Sequence, residues 1–147
     1  MSHNIFSQDV LTLDCEKEVE KISGRLRRIL SKTLRRRGLV GAVSGGIDSS
    51  VTLALAVRAV GRERVLALLM PERHSADETL ALSRLVADHL GADTIHEDIT
   101  PVLEAVGFYR RYDEAVRRVI PAYDHRWRSK IVISNVMEDS GFNRFSL

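Results

Sequence analysis

The stretch Gly38 to Val57, GLVGAVSGGIDSSVTLALAV, joins runs of different character. Leu39 to Val43 is short, apolar and uninterrupted, the pattern of a strand buried on both faces of a parallel sheet. From about Ser49 to Val60, small and apolar residues continue without a breaker, which predicts a helix. Between them, Ser44 to Ser49 holds a glycine pair, two serines and an aspartate. Strand, tight polar turn and helix in that order make a βα unit, and open α/β sheets bind ligands at the carboxyl ends of their strands.

Reading outward, Val65 to Met70 (VLALLM) is a second buried strand ended by Pro71, followed by a helix from about Ala76 to Leu90 that Gly91 stops. Thr94 to His96 is a short third strand. The alternation implies right-handed crossovers and an α/β fold with a doubly wound parallel sheet, Rossmann-like, with flanking helices. Upstream, Val19, Ile22, Leu26, Ile29 and Leu34 recur at helical spacing, predicting an amphipathic helix over 14–37. Asp14, Glu16, Glu18 and Glu20 lie early in it and Arg35 to Arg37 late, which suits the helix dipole, and Gly38 is the expected stop. Beyond Thr100, PVLEAV predicts a helix entered at Pro101, RRYDEAVRRVI another ending at Pro121, and KIVIS a last strand. With no repeat and no linker, 1–147 reads as a single unit.

Gly45 and Gly46 lack a Cβ, so the backbone there turns sharply, comes close to a ligand and points N–H groups at it. With the helix N-terminus behind Ser49 these donors make an anion hole suited to phosphate, and Ser44 and Ser49 add hydroxyls. Asp48 is the odd member, because a carboxylate beside phosphate repels it unless a cation lies between them. A magnesium ion bridging the two resolves the conflict. An ordinary βα turn with serine and aspartate as caps uses the same residue types. Other glycine loops do not fit: no Lys-Ser or Lys-Thr pair follows, and the spacing is not G-x-G-x-x-G.

The string SGGIDS, Ser44 to Ser49, resembles the S-G-G-x-D-S signature of the N-type ATP pyrophosphatases. Within that superfamily, VLALLMPERHSADETLALSRLVADHLGA and DITPVLEAVG resemble the corresponding segments of NAD synthetases of the ammonia-dependent type. The resemblance covers roughly Leu39 to Val106. It implies an ATP-dependent amide-forming ligase that adenylates nicotinic acid adenine dinucleotide, releases pyrophosphate, and lets ammonia displace AMP. It also implies that Ser44, Gly45, Gly46, Ile47, Asp48 and Ser49 form the pyrophosphate loop, that Asp48 lies nearest a Mg2+ ion, and that the backbone at Leu69 and Met70 lies near adenine. No catalytic residue is singled out, since a substrate carboxylate is already ionised and needs alignment and charge neutralisation rather than a base. The family's later Asn/Gln-x-x-Arg-like and Gly-Thr-x-Asn segments do not occur in this sequence, so the chain resembles a front portion of the enzyme. The resemblance further implies a homodimer, with ammonia arriving free or from a glutaminase partner. Another N-type ATP pyrophosphatase with a different acceptor, or a non-catalytic nucleotide-binding module, remains open; the lack of a cysteine pair speaks against sulfur transfer.

Composition sets the outer limits. The formal net charge of +2, from 22 basic and 20 acidic residues, gives no general case for nucleic acid. Of the 22 basic residues 18 are arginine, and the triplet Arg35 to Arg37 has no interleaved aromatics of the kind that stack on bases. The single cysteine, Cys15, cannot form an internal disulfide, and no apolar run approaches membrane-spanning length, so a cytoplasmic chain is expected. His3, His74, His89, His96 and His125 show no metal-ligand spacing. Arg73 and His74 follow the second strand, facing either the crevice or solvent. Tyr109, Tyr112, Tyr123 and Trp127 lie among arginines and suit core packing or a binding surface.

Overall fold

The protein is described by a computed structural model, which covers residues 12–124, 126–127, 132–133 and 145–146. It divides into two compact units, Met1–Pro101 and Val102–Leu147.

In the first unit, β1 (Leu39–Ala42), β2 (Val65–Leu69) and β3 (Asp93–His96) form a parallel sheet in the order β1-β2-β3. The register pairs Leu39 with Val65 and Leu66 with Asp93. Helices α2 (Ile47–Val60) and α3 (Asp77–Leu90) make the crossovers, and they pack against each other and the strands. Two successive right-handed crossovers that step the same way across a sheet leave their helices on the same face. The core lies between: Val43, Val65, Ala67 and Leu69 from the sheet side meet Leu53 and Ala56 of α2 and Ala87 of α3.

This one-sided arrangement corrects the expectation that the first strand is buried on both faces. Leu39 and Gly41 point towards the helices and are half-buried, whereas Val40, on the other face, is 64% exposed. On that face Ile95 is also exposed, while Leu66 and Leu68 are half-buried. The parallel sheet with flanking helices is as expected, and these residues build one half of it.

The N-terminal helix departs more clearly. Asp14 caps α1 (Cys15–Arg28) by accepting the Lys17 N–H at 3.1 Å. The chain then continues as a π-helical segment, Ile29–Leu34, rather than as one α-helix to Arg37. Its buried stripe is Val19, Ser23, Leu26 and Leu30, with Ser23 and Leu30 fully buried, so Ile22 and Ile29 fall at the edge of the contact with α2. Arg27 completes that contact by donating to the carbonyl of Ala59 at 3.4 Å, near the C-terminal end of α2, and Glu20 pairs with Arg58. A cation at a helix C-terminus complements the dipole. Among the described residues the buried Ser23 hydroxyl has no hydrogen-bond partner.

The stop assigned to Gly38 belongs to Arg35, which takes the left-handed conformation at φ 51° while its N–H and that of Arg36 both reach the Leu30 carbonyl. An L-residue pays about 1 kcal/mol or more for that conformation, which glycine adopts freely. Arg35→Gly is therefore expected to raise stability by about 0.5–1 kcal/mol, read as a higher urea midpoint with an unchanged slope. Gly38 instead serves the entry into β1. A Cβ there would stand 2.7 Å from the Arg64 carbonyl oxygen, so only glycine lets the chain pass beside that backbone.

In the second unit, α5 (Phe108–Val119) buries Tyr109 and Val116, and Tyr123 is buried behind it with its carbonyl accepting from Arg117 at 3.2 Å. The tyrosines thus include core residues, whereas Trp127 is exposed. The short helix α4 (Thr100–Ala105), which precedes α5, contains the boundary between the units. Of the segment KIVIS only Val132–Ile133 is described; as β4 it pairs antiparallel with β5 (Phe145–Ser146), so within the described residues it extends no parallel sheet. Among the described residues no helix is long and apolar enough to cross a membrane.

Candidate functional site

Ser44 to Ser49 connects the carboxyl end of β1 to α2, with the predicted helix start moved forward to Ile47. The β1 direction is carried past Ala42 by the Val43 N–H, which bonds the Leu68 carbonyl at 2.9 Å and fixes the point where the loop departs. Gly45 then turns at φ 75°, a left-handed conformation that favours glycine. Gly46 returns to φ −73°, ψ 159° and serves as N-cap of α2, with no side chain to satisfy the first turn.

The outcome is a row of unused donors. Among the described residues, the N–H groups of Gly45, Gly46, Ile47, Asp48 and Ser49 meet no acceptor in the protein; the first bond of the helix is Ser50 N–H to the Gly46 carbonyl at 3.0 Å. Orphan donors of a first helical turn are normally met by a cap, by water or by a ligand. A Cβ on Gly46 would meet only the Ser44 Oγ, at 3.5 Å, so the fold has room for a side chain there. Gly45 is different: its Cβ would overlap that of Leu82 and stand 3.0 Å from the Leu82 carbonyl carbon and the Ser83 nitrogen. Its lack of a side chain lets the loop lie against the backbone of α3.

Asp48 is exposed in the first turn of α2. Among the described residues no group of three acidic, histidine or cysteine side chains could hold a metal. A single carboxylate suits a cation that completes its shell with phosphate oxygens and water, as Mg2+ does. Of the histidines, His3 and His125 lie outside the described residues.

Beside the loop is a cavity of about 240 Å³. Ala42, Val43, Leu68 and Leu80 give it apolar walls, Ser44 and Met70 its junction with the strand ends, and Ser75, Thr79 and Ser83 a line of hydroxyls. Met70 sits where β2 ends. The carbonyls on either side of it are taken, Leu69 by the Glu97 N–H at 2.9 Å and Pro71 by the Ile99 N–H at 3.1 Å. The N–H and C=O of Met70 itself have no partner among the described residues. Arg73 and His74 are exposed and do not line the cavity. The sequence reading missed Thr79 and Ser83, although two hydroxyl residues four apart within the expected helix were the available signal for one helical face.

The segment after β3 is organised by Asp98, whose carboxylate accepts the Thr100 N–H at 2.8 Å at the start of α4. Hydrogen bonds from the Thr100 side chain and backbone hold its pKa below the usual carboxylate value. The Asp-Ile-Thr-Pro string is thus a helix entry, with its aspartate used structurally.

The family model for NAD synthase matches residues 18–135. The NH3-dependent NAD+ synthetase of Rhizobium meliloti is 50% identical over 143 residues, and that of Mesorhizobium japonicum 51% over 134 residues. The alignments take in 97% and 91% of this chain and 42% of each relative, so the chain spans less than half the length of these relatives. Among solved structures, NAD+ synthetase from Burkholderia pseudomallei is 31% identical with a TM-score of 0.55, covering 78% of this chain and 49% of that one. The NH3-dependent enzyme from Campylobacter jejuni, in complex with nitrate, is 25% identical with a TM-score of 0.59, covering 74% and 50%. By the family model over residues 18–135 and these relatives, the chain belongs to the NAD synthase family.

Proposed function

We propose that this chain is the ATP-binding portion of an ammonia-dependent NAD synthetase acting in the cytoplasm, with both units parts of one ATP pyrophosphatase domain. The observation that carries the reading is the row of unpartnered N–H groups from Gly45 to Ser49 beside an open glycine position. In the reaction, the carboxylate of nicotinic acid adenine dinucleotide attacks the α-phosphorus of ATP. The bond to the bridging oxygen breaks, pyrophosphate leaves, and an acyl adenylate forms. Ammonia then attacks the acyl carbon, AMP departs, and the surplus proton passes to solvent. The partners of this reading are a second copy of the chain and ammonia, taken free or from a glutaminase.

The residues of this chain serve the first step. The N–H groups from Gly45 to Ser49 bind the departing pyrophosphate, whose negative charge grows as the bond breaks, so they act on the transition state more than on the ground state. Met70 offers its backbone N–H and C=O to the adenine edge, with Ala42, Val43, Leu68 and Leu80 excluding water around the ring. Asp48 would hold Mg2+, which when bound neutralises phosphate charge.

Calorimetric titration of the chain with ATP, with and without magnesium, tests the reading. Binding is expected, tighter with magnesium. Asp48→Asn should remove about tenfold of the magnesium-dependent gain, the scale of one charge-assisted contact. An unchanged magnesium effect in this variant would move the metal away from Asp48, and no ATP binding by a folded chain would overturn the proposal.

A further inference from the structure

The hydroxyl of Ser49 is fully used by the protein. It donates its single proton to the Gly46 carbonyl at 3.0 Å and accepts the Ser44 N–H at 3.2 Å. It also stands 3.2 Å from the Ser44 hydroxyl. Since the Ser49 proton lies on Gly46, the contact between the two hydroxyls has Ser44 as donor. One proton and two lone pairs are the whole capacity of a hydroxyl, and all are engaged. Ser44 is in the opposite position. Among the described residues its hydroxyl proton is held only by Ser49, rotation about Cβ–Oγ releases it without disturbing the backbone, and Ser44 lines the cavity.

We propose that Ser49 is a positioning residue that ties the end of β1 to the first turn of α2, and that the Ser44 hydroxyl is the one that turns to the phosphate. The division of labour rests on the nucleotide reading above. The tie spans both glycines. It holds the loop in the conformation in which the N–H groups between its ends point outward, so the anion meets an array already formed. Without it, those groups must be ordered at the moment of binding, which weakens affinity without removing a contact.

Ser49→Ala is a clean test because it leaves little unsatisfied. The Gly46 carbonyl keeps the Ser50 N–H at 3.0 Å and the Ser50 hydroxyl at 2.8 Å, so the losses are the acceptor of the exposed Ser44 N–H and that of the Ser44 hydroxyl, which is free to rotate. The measurement is single-residue amide exchange by NMR on the ligand-free chain, followed by ATP titration of the same samples. In Ser49→Ala, Ser44 amide exchange should quicken by about tenfold or more and ATP affinity fall by about tenfold, on the scale of one hydrogen bond. Ser49→Thr, which keeps the hydroxyl, should restore both. Ser44→Ala should lower ATP affinity by a similar factor with its own amide still protected. Lost affinity in Ser49→Ala with unchanged Ser44 exchange would make Ser49 a direct ligand contact and overturn the assignment, as would full affinity in Ser44→Ala. If the unaltered chain binds no ATP, the nucleotide reading fails with the role given to Ser44, while exchange in Ser49→Ala still decides whether the tie exists.

Discussion

Gly45→Ala is expected to destabilise the protein by about 2–5 kcal/mol, enough to unfold much of the chain, although it adds a single methyl group. Two costs combine. The left-handed conformation at φ 75° costs an L-residue about 1–2 kcal/mol. The added Cβ would overlap that of Leu82 and press on the backbone of α3, and overpacking of this kind costs about 1–3 kcal/mol or more. A surface loop would normally yield to such a contact. This one is held at its ends by the Val43 bond to β2 and by the Ser44–Ser49 tie, and α3 is anchored in the core through Ala87. The check is chemical denaturation followed by both circular dichroism and tryptophan fluorescence. A variant with unchanged stability would mean that α3 moves aside at little cost. Loss of ATP binding in this variant would report on folding and say nothing of ligand approach at Gly45.

That division between the two glycines marks where the sequence stops being informative. The loop itself was legible, because Ser, Gly, Gly, Asp and Ser between an apolar strand and an apolar helix have few physical uses, and the parallel sheet followed from the same alternation. Which glycine answers to the fold and which to a ligand was not legible, since the contact of Gly45 with Leu82 joins residues far apart in the chain. The same holds for Ser49, whose residue type suits a phosphate contact and an internal tie equally well. In α1, the apolar residues pointed to Ile22 and Ile29, but the fully buried residue of the helix is Ser23, and hydrophobicity carries no trace of that. The exposure of Val40 has another origin: burial on both faces is a property of a whole sheet, and the residues of β1 through β3 build only one covered side.

Gly46→Asp should separate binding from stability most widely. At φ −73°, ψ 159° the backbone accepts any L-residue, and the nearest atom to a new Cβ is the Ser44 Oγ at 3.5 Å. Gly46 is also the N-cap of α2, where aspartate is favoured over glycine by a few tenths of a kcal/mol. Its carboxylate would accept the N–H groups of Asp48 and Ser49 and complement the positive end of the helix dipole, partly offset by repulsion from the Asp48 carboxylate. Unfolding should therefore occur at or slightly above the wild-type midpoint. The same carboxylate takes two of the donors meant for the anion, fills the open space and adds negative charge where phosphate must sit. Two charge-assisted hydrogen bonds lost, at about 1.5–3 kcal/mol each, correspond to an affinity at least about a hundredfold weaker. A stable Gly46→Asp chain that fails to bind ATP would mean that the first turn of α2 is left uncapped because its donors are held for a ligand. Retained affinity would mean that phosphate contacts the chain elsewhere, and the open position at Gly46 would then be an ordinary helix start.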